Sequence, residues 1–202
     1  MKTVILTGGM GSGKTAVSAL LRARGVPVYD SDSRTKTLYD RDPVLVGRLE
    51  TVLGTGLRAS GGRLDRAKLA SLIFSDAERK AAVEAAVHPA VLEDFRRWKR
   101  WQRPKGWRYG PVPFVVLESA IILSCPVFDG VGDRTVLVEA PEEVRLARAV
   151  ARDGSDPEAA LRRIRSQRFN LARVDAVLQN DATLAALAAE TDRVFLNLFV
   201  SL

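Results

Sequence analysis

Eight residues near the amino terminus have the types and spacing needed to bind the phosphates of a nucleotide. The segment from Gly8 to Thr15 reads GGMGSGKT and matches G-x-x-x-x-G-K-[ST] at every required position. Glycines let the backbone turn tightly and point its N–H groups into one concave surface for phosphate oxygens. Lys14 is long enough to reach the β- and γ-phosphates, and the Thr15 hydroxyl is a ligand for Mg²⁺. The segment therefore predicts a P-loop.

The elements on either side of this motif are those that a P-loop needs. Lys2 to Thr7 is a short apolar run rich in β-branched residues, which predicts a buried strand. Thr15 to Arg24 has apolar residues at helical spacing and stops at Gly25. The amino terminus of that helix adds the positive end of its dipole to the phosphate site. The alternative is a glycine-rich turn that only connects two elements, and the strand–loop–helix order argues against it.

Two carboxylates follow the second predicted strand, Val26 to Tyr29. Ligands of open α/β sheets bind beyond the carboxyl ends of the strands, so Asp30 and Asp32 are expected near the P-loop. The alternative is that one of them caps a helix that starts near Ser33. The two-residue spacing alone does not separate these roles.

The segment from about Ser33 to Arg103 has helical periodicity and predicts a helical insertion between the second and third strands. Asp42-Pro43 indicates a helix start, and Gly54 to Gly62 is rich in turn residues. The single histidine, His88, precedes Pro89, and a proline at the first helical position would make His88 a helix boundary. Aromatic and basic residues alternate over 98–109, a pattern of nucleic-acid or membrane surfaces. A helix end that runs into a loop is the favoured interpretation.

Three further strands and two arginine-rich helices are predicted in the second half. The strands are Phe114–Glu118, Thr135–Glu139 and a short one from Asp175 to Leu178, and a last helix runs from Leu184 to Phe199. Helices from Pro141 and from Asp156 are separated by Asp153-Gly154-Ser155. Arg148 and Arg152 are four residues apart and face the same way. The pair can close over phosphates, and the alternative for most of these arginines is a solvated basic face.

Composition limits the class of protein. The 202 residues are 47% hydrophobic, with 31 basic and 24 acidic side chains and a net charge of +7, which suits a polyanionic partner. No apolar run is long enough to span a membrane, and the first residues form a strand and not a signal segment. Cys125 is the only cysteine and lies among apolar residues, which predicts an inert buried thiol. A cytoplasmic protein is the simplest interpretation.

Together these segments resemble the dephospho-CoA kinase family over nearly the whole chain. The segments that carry the resemblance are residues 6–15, Gly25 to Asp32, Asp65-Arg66, Ile73-Phe74, His88-Pro89, Arg148-x-x-x-Arg152-Asp153-Gly154, Arg163-Ile164-x-x-Gln167 and Val177-Leu178-x-Asn180. The resemblance implies an α/β P-loop fold, with a five-stranded parallel sheet, a helical substrate-binding insertion and a helical lid. The corresponding regions are a core of 1–32, 112–141 and 171–202, an acceptor (CoA-binding) lobe of 33–111 and a lid of 142–170.

The reaction implied by the resemblance is phosphorylation of the 3′-hydroxyl of dephospho-CoA by ATP with Mg²⁺, the last step of coenzyme A synthesis. The implied ATP-binding residues are Gly9, Gly11, Ser12, Gly13, Lys14, Thr15, Ala16, Arg148, Arg152 and Asn180. Asp32, Arg66 and His88 would bind the acceptor, Lys14, Asp32 and Arg148 would be catalytic, and Thr15 and Asp32 would bind the metal. Whether Asp32 acts as a base or as a Mg²⁺ ligand stays open. We expect neither a nucleic-acid nor a membrane partner, and a monomer or weak homo-oligomer.

The sequence departs from the family pattern in two places. The family commonly has Pro-Leu-Leu-Phe-Glu after the third strand, whereas Ser119 to Ser124 contains neither proline nor glutamate, and Lys36 stands where an arginine is usual. Both changes concern the wall of the acceptor site. Two other functions stay open: another P-loop nucleoside or nucleotide kinase, and a non-catalytic nucleotide-binding protein. The lack of an Asn-Lys-x-Asp segment argues against a GTPase.

Overall fold

The computed structural model describes residues 1–59, 61–74, 76–102, 114–154 and 156–200. For residues 199 and 200 it describes the backbone only. Three predicted features fall partly outside these ranges: the aromatic and basic stretch 98–109 from residue 103 onward, the 111–112 boundary of the acceptor lobe, and Ser155 of the break between the arginine-rich helices. The chain divides into two compact units, which are described separately. The first unit is Met1–Tyr29 with Gln102–Leu202, and the second is Asp30–Trp101.

A five-stranded sheet organises the first unit, as predicted. The strands are β1 (Lys2–Gly8), β2 (Val28–Asp30), β3 (Phe114–Glu118), β4 (Arg134–Glu139) and β5 (Ala176–Gln179), in the spatial order β2-β3-β1-β4-β5. β1 lies parallel to β3, with Lys2 opposite Phe114, and to β4, with Val4 opposite Arg134. β4 lies parallel to β5. The strands near the centre are apolar on both faces, which is why they form a parallel sheet covered on both sides.

Helices α1 (Lys14–Ala23) and α8 (Leu184–Val200) cover one face of this sheet. Their apolar stripes, including Val17, Leu21 and Phe195, form one buried cluster with alternate residues of β1, β3 and β4. The rings of Phe114 and Phe195 stack at a centroid distance of 6.0 Å. Cys125 is buried, as expected. Among the described residues, no helix has both the length and the apolar character needed to cross a membrane.

After β4 the chain forms α6 (Glu142–Asp153) and α7 (Pro157–Ser166), which pack against each other. We call residues 142–166 the arginine hairpin. Asp156 accepts a hydrogen bond from the Ala159 N–H and so caps α7. Gly154 ends α6 with a positive φ of 58°, a conformation that glycine adopts without steric cost. These local signals explain why the hairpin was predictable.

The second unit is helical throughout its regular elements: α2 (Ser31–Arg41), α3 (Pro43–Leu53), α4 (Arg66–Phe74) and α5 (Ala77–Trp101). Asp42 caps α3 by accepting hydrogen bonds from the N–H groups of Val44 and Leu45. α5 packs against the other three helices. The guanidinium of Arg34 makes two hydrogen bonds of 2.9 Å to the buried carboxylate of Asp94, which joins α2 to α5.

Two expectations about boundaries were wrong. The second strand begins at Val28, two residues later than predicted, although the Pro27 carbonyl still accepts a hydrogen bond from the Val116 N–H. His88 does not mark a helix start, because α5 continues through Pro89. Proline in a helix interior removes one hydrogen bond and crowds the preceding turn. The buried apolar stripe of α5, which includes Val83, Val87 and Val91, lies on both sides of the proline, and its packing outweighs that cost.

Candidate active site

The loop between β1 and α1 has the backbone conformation that its glycines predict. Gly11 and Gly13 have φ values of 74° and 99°, in the left-handed region that residues with a Cβ atom disfavour. A Cβ atom at Gly13 would also overlap the side-chain nitrogen of Asn180. Gly13 is the residue before α1, so the first N–H groups of this helix open onto the loop. The loop is therefore shaped to bind an anion.

Lys14 lies in the first turn of α1 with its side chain folded over the loop. Its Nζ atom donates a hydrogen bond of 2.7 Å to the Gly8 carbonyl and one of 3.4 Å to the Gly9 carbonyl. These bonds hold the ammonium group at the concave side of the P-loop. Thr15 is exposed beside it, and its hydroxyl has no hydrogen-bond partner among the residues that the structure describes. Ala16 follows and packs against the buried cluster of the first unit.

Asn180 and Arg148 fix the opposite side of the loop. Asn180 is buried just past β5, and its side-chain nitrogen donates to the Ser12 carbonyl at 2.8 Å. Arg148 on α6 donates to the Asn180 carbonyl at 3.1 Å and to its side-chain oxygen at 3.4 Å. The structure thus brings Ser12, Asn180 and Arg148 together, although they come from three separate segments.

A cavity of about 260 Å³ opens over the P-loop. It is lined by Gly9, Met10, Gly11, Gly13, Lys14, Thr15, Arg148 and Arg152. The cavity is therefore bordered by backbone N–H groups and by three cations, a donor set that suits phosphate. Arg152 is largely exposed and forms a bidentate pair with Asp153, whose pKa is lowered by these hydrogen bonds. A phosphate would have to compete with that carboxylate for Arg152.

Two buried hydroxyl groups near the loop are unsatisfied. Within the described residues, Thr7 Oγ1 and Ser12 Oγ have no hydrogen-bond partner, whereas nearly all buried polar groups have one. Both residues belong to the strand and loop that carry the phosphate motif. Their unused hydrogen-bonding capacity is compatible with a polar ligand at this loop.

In the second unit, Asp30 and Asp32 have different environments. Asp30 accepts hydrogen bonds from the Ser33 N–H at 3.0 Å and from the Ser33 hydroxyl at 2.7 Å, and so caps α2. Asp32 is exposed in the first turn of α2 and makes no hydrogen bond or ion pair with a described residue. Asp30 is therefore a helix cap, which was the alternative to a place in the phosphate site. Asp32 stays available for a ligand.

Arg66 begins α4 and is held by α2. Its guanidinium donates to the Lys36 carbonyl at 2.9 Å and to the Asp40 carboxylate at 2.7 Å. Asp32 and Asp40 are eight residues apart on α2, which is about 12 Å along the helix axis and about 80° around it. The Arg66 guanidinium is therefore already bonded to protein oxygens, about two turns further along α2 than Asp32.

His88 is half-buried in the middle of α5. Burial lowers its pKa, and the carboxylate of Glu84, one turn earlier, opposes this effect in part. The imidazole is therefore neutral over a wider pH range than an exposed histidine. As a neutral ring it can either donate or accept a hydrogen bond.

Three residues that the sequence analysis did not assign to the site contact the P-loop or the two elements that flank it. Glu118 ends β3 beside the P-loop strand, is buried, and accepts a hydrogen bond of 2.5 Å from the Ser18 hydroxyl of α1. Its place at the carboxyl end of a strand next to β1 is a signal that sequence reasoning could have used. Arg145 and Gln167 bind the backbone of Met10. Gln167 belongs to the Arg163-Ile164-x-x-Gln167 segment of the family pattern, whereas no local pattern distinguishes Arg145 from its exposed neighbours.

Comparison with known proteins gives consistent results. The sequence model described as dephospho-CoA kinase matches residues 2–186. A curated dephospho-CoA kinase of Porphyromonas gingivalis is 40% identical over 167 residues, which are 83% of this chain and 78% of that protein. The crystal structure of TT1252 from Thermus thermophilus is 34% identical with a TM-score of 0.77, covering 98% of this chain and 97% of that one.

A dephospho-CoA kinase structure from Campylobacter jejuni is more distant and shares the fold. It is 20% identical with a TM-score of 0.59, and the match covers 97% of this chain and 96% of that chain.

Proposed function

The chain belongs to the dephospho-CoA kinase family, and from this membership we infer that it transfers the γ-phosphoryl group of ATP to the 3′-hydroxyl of dephospho-CoA. The family match extends over residues 2–186, so it includes the P-loop, the helical second unit and the arginine hairpin. The observation that carries the inference within the structure is the P-loop cavity of about 260 Å³, with Lys14 and two arginines in its lining. The family match comes from the sequence and the cavity from the structure, so the two support the inference separately.

The P-loop residues would bind the triphosphate and stabilise the charge that develops during transfer. Phosphoryl transfer needs little covalent participation from the protein, so positioning and charge stabilisation supply most of the catalysis. Lys14 is held over the loop by two backbone carbonyls, which reduces the reorganisation needed when phosphate binds. Arg148 is aligned by Asn180, and a planar guanidinium binds phosphate oxygens in two places. We assign Lys14 and Arg148 to the transferred phosphoryl group.

Mg²⁺ fits the chemistry of the residues available. The described residues contain no group of three or more histidine, cysteine or acidic side chains that could hold a metal alone. Kinases bind Mg²⁺ through one or two protein oxygens together with substrate phosphates. Thr15 and Asp32 would supply such oxygens, and the bound ion would neutralise phosphate charge. Both side chains are exposed and make no hydrogen bond to a described residue.

Asp32 is the residue that we assign to the acceptor hydroxyl. It would orient the 3′-hydroxyl and take its proton as the oxygen attacks the γ-phosphorus and the bond to ADP breaks. Asp30 cannot share this role equally, because both of its carboxylate oxygens accept hydrogen bonds from Ser33. The two aspartates therefore form a matched pair for experiment.

Arg66 and His88 would bind the acceptor in the second unit, which we assign as the acceptor lobe. A dephospho-CoA molecule carries a diphosphate, for which a guanidinium is a suitable partner. Arg66 is bonded to the carboxylate of Asp40, so a phosphate that binds Arg66 would replace this carboxylate as its partner. Residues 142–170 would act as a lid that closes over ATP and excludes water.

The experiment that tests this function measures ADP release with four acceptor conditions: dephospho-CoA, adenosine, AMP and none. We expect rapid release with dephospho-CoA and little in the other three. Comparable rates with adenosine or AMP would indicate a nucleoside or nucleotide kinase instead. Tight ATP binding without ADP release under any condition would indicate a non-catalytic nucleotide-binding protein.

A further inference from the structure

The peptide groups of Met10 in the P-loop are held by two side chains, one from the first turn of the arginine hairpin and one from the residue directly after the hairpin. Arg145 Nε donates to the Met10 carbonyl at 2.9 Å, and the Met10 N–H donates to Gln167 Oε1 at 2.8 Å. Arg145 Nη2 donates to the same Gln167 oxygen at 2.9 Å. The three hydrogen bonds close a ring in which every donor has an acceptor. We call Arg145, Gln167 and Met10 the root clamp.

Two glycines of the P-loop make room for this clamp. A Cβ atom at Gly9 would overlap the Arg145 guanidinium, and a Cβ atom at Gly11 would overlap the Arg145 backbone carbonyl. The first turn of α6 therefore packs directly on the loop. Arg145 is half-buried there, and this burial lowers its pKa although Glu142 and Glu139 favour its charge. A desolvated guanidinium makes stronger hydrogen bonds than an exposed one.

The position of the clamp within the hairpin sets its mechanical role. Arg145 lies in the first turn of α6 and Gln167 directly follows α7, so the clamp joins the two ends of the hairpin. An ion pair of 2.8 Å between Arg165 and Glu142 lies at the same ends. One turn beyond Arg145, Arg148 bonds to Asn180. Successive turns of α6 are thus connected to both sides of the P-loop.

A second cavity, of about 380 Å³, borders the clamp. Arg145, Gln167 and Gly9 line it together with Glu139, Phe169 and Gln179, and Gly9 also lines the cavity above the P-loop. The Arg145 side chain is therefore adjacent to free volume on one side. Without its hydrogen bonds to Met10 and Gln167, it would have space into which it could rotate. The clamp bonds, and not close packing alone, keep it in place.

We propose that Arg145 and Gln167 are positioning residues that lock the ends of the arginine hairpin to the P-loop, so that the loop backbone and Arg148 keep one fixed relative geometry for ATP. The proposal deepens the proposed function and rests on it for the transfer readout. It predicts that loss of the clamp weakens ATP binding and slows transfer together, while binding of the acceptor is unaffected. A purely structural contact would change stability and leave these constants alone.

The test uses four single variants of the full chain. Arg145→Met and Gln167→Met keep the apolar stems and remove the hydrogen-bonding groups. Gln167→Glu keeps an oxygen that accepts from both the Met10 N–H and Arg145. Arg162→Met is the control, because it removes one positive charge from α7 at an exposed residue whose ion pair is with Glu158 in the same helix.

The readouts are the Kd of ATP without acceptor by calorimetry, kcat, both KM values and the thermal unfolding midpoint. We expect Arg145→Met and Gln167→Met each to raise the Kd of ATP about tenfold, which is the effect of losing one charge-assisted hydrogen bond. Each variant should also lower kcat. The KM of dephospho-CoA should stay within about twofold of wild type. Arg162→Met should resemble wild type, and Gln167→Glu should keep the wild-type unfolding midpoint because its carboxylate still accepts both hydrogen bonds. A fifth protein, with Arg145→Met and Gln167→Met combined, should lose little more ATP affinity than the weaker-binding single variant, because the three bonds form one ring.

The proposal is overturned if Arg145→Met and Gln167→Met bind ATP and turn over like wild type, whatever happens to their unfolding midpoints. It is equally overturned if Arg162→Met weakens ATP binding as much as Arg145→Met, because loss of positive charge in the hairpin, and not loss of the clamp, would then be the cause. Failure of the proposed function would be visible separately. In that case wild type and Arg162→Met would not phosphorylate dephospho-CoA, while the Kd of ATP would still report on the clamp.

Discussion

Replacing Asp32 by asparagine tests the catalytic assignment against a neighbour that differs only in its contacts. Asp32→Asn removes one negative charge and keeps the size of the side chain. Asp30→Asn makes the same change two residues earlier. The structure gives the two carboxylates separate tasks, since Asp30 caps α2 through Ser33 and Asp32 has no partner among the described residues. Loss of Asp32 should therefore lower the rate, whereas loss of the Asp30 cap should lower the stability.

The magnitudes follow from these contacts. Asp32 is exposed in the first turn of α2, so its charge contributes to stability mainly through the helix dipole, about 0.3–1 kcal/mol. As a base or orienting group it should contribute about 10²–10⁴-fold to kcat, which is about 3–5 kcal/mol of the barrier. Asp30→Asn keeps an oxygen that can cap the helix and should change both quantities little. Asp30→Ala removes the cap and should cost about 0.5–2 kcal/mol of unfolding free energy.

The assay combines steady-state ADP release with dephospho-CoA and denaturant unfolding of all three variants. We expect a large kcat loss with near-normal stability for Asp32→Asn, and the reverse pattern for Asp30→Ala. Equal kcat losses in Asp32→Asn and Asp30→Asn would refute the assignment, because loss of charge in this segment, and not a role specific to Asp32, would then be the cause.

Further predictions concern the P-loop, the acceptor lobe and the hairpin. Lys14→Ala should abolish transfer and keep a native circular dichroism spectrum; a folded variant with normal turnover would contradict the P-loop assignment. Arg66→Ala and His88→Ala should raise the acceptor KM more than the ATP KM in steady-state titrations, and an effect on ATP alone would exclude the acceptor role. Arg148→Ala and Arg152→Ala should lower transfer, with a large kcat loss in at least one; near-normal kcat in both would mean that they are a solvated surface. Because burial lowers the pKa of His88, the unfolded state binds its proton more readily. Wild type should therefore lose stability relative to His88→Gln as the pH falls below about 6.5. The prediction is contradicted if the two proteins differ in unfolding free energy by the same amount at about pH 7.5 and at about pH 5.5.

Local sequence determined the elements and the phosphate loop. Gly11 and Gly13 adopt positive φ because glycine alone does so without cost, and the apolar runs rich in β-branched residues at Lys2–Gly8 and Phe114–Glu118 form parallel strands. Asp42 caps α3 through groups two and three residues away. Such signals act over a few residues, and spacing along the chain reports them directly.

Tertiary structure decided which side chains reach the P-loop and which do not. The Ser12 carbonyl is bonded by Asn180, 168 residues later in the chain, and Met10 is bonded by Gln167, 157 residues later. Arg145 differs from the exposed arginines of the hairpin only in what it packs against. Pro89 stays inside α5 for the same reason, because the buried stripe on both sides of it outweighs its local preference. These outcomes depend on contacts between distant segments, whose free energies no local spacing records.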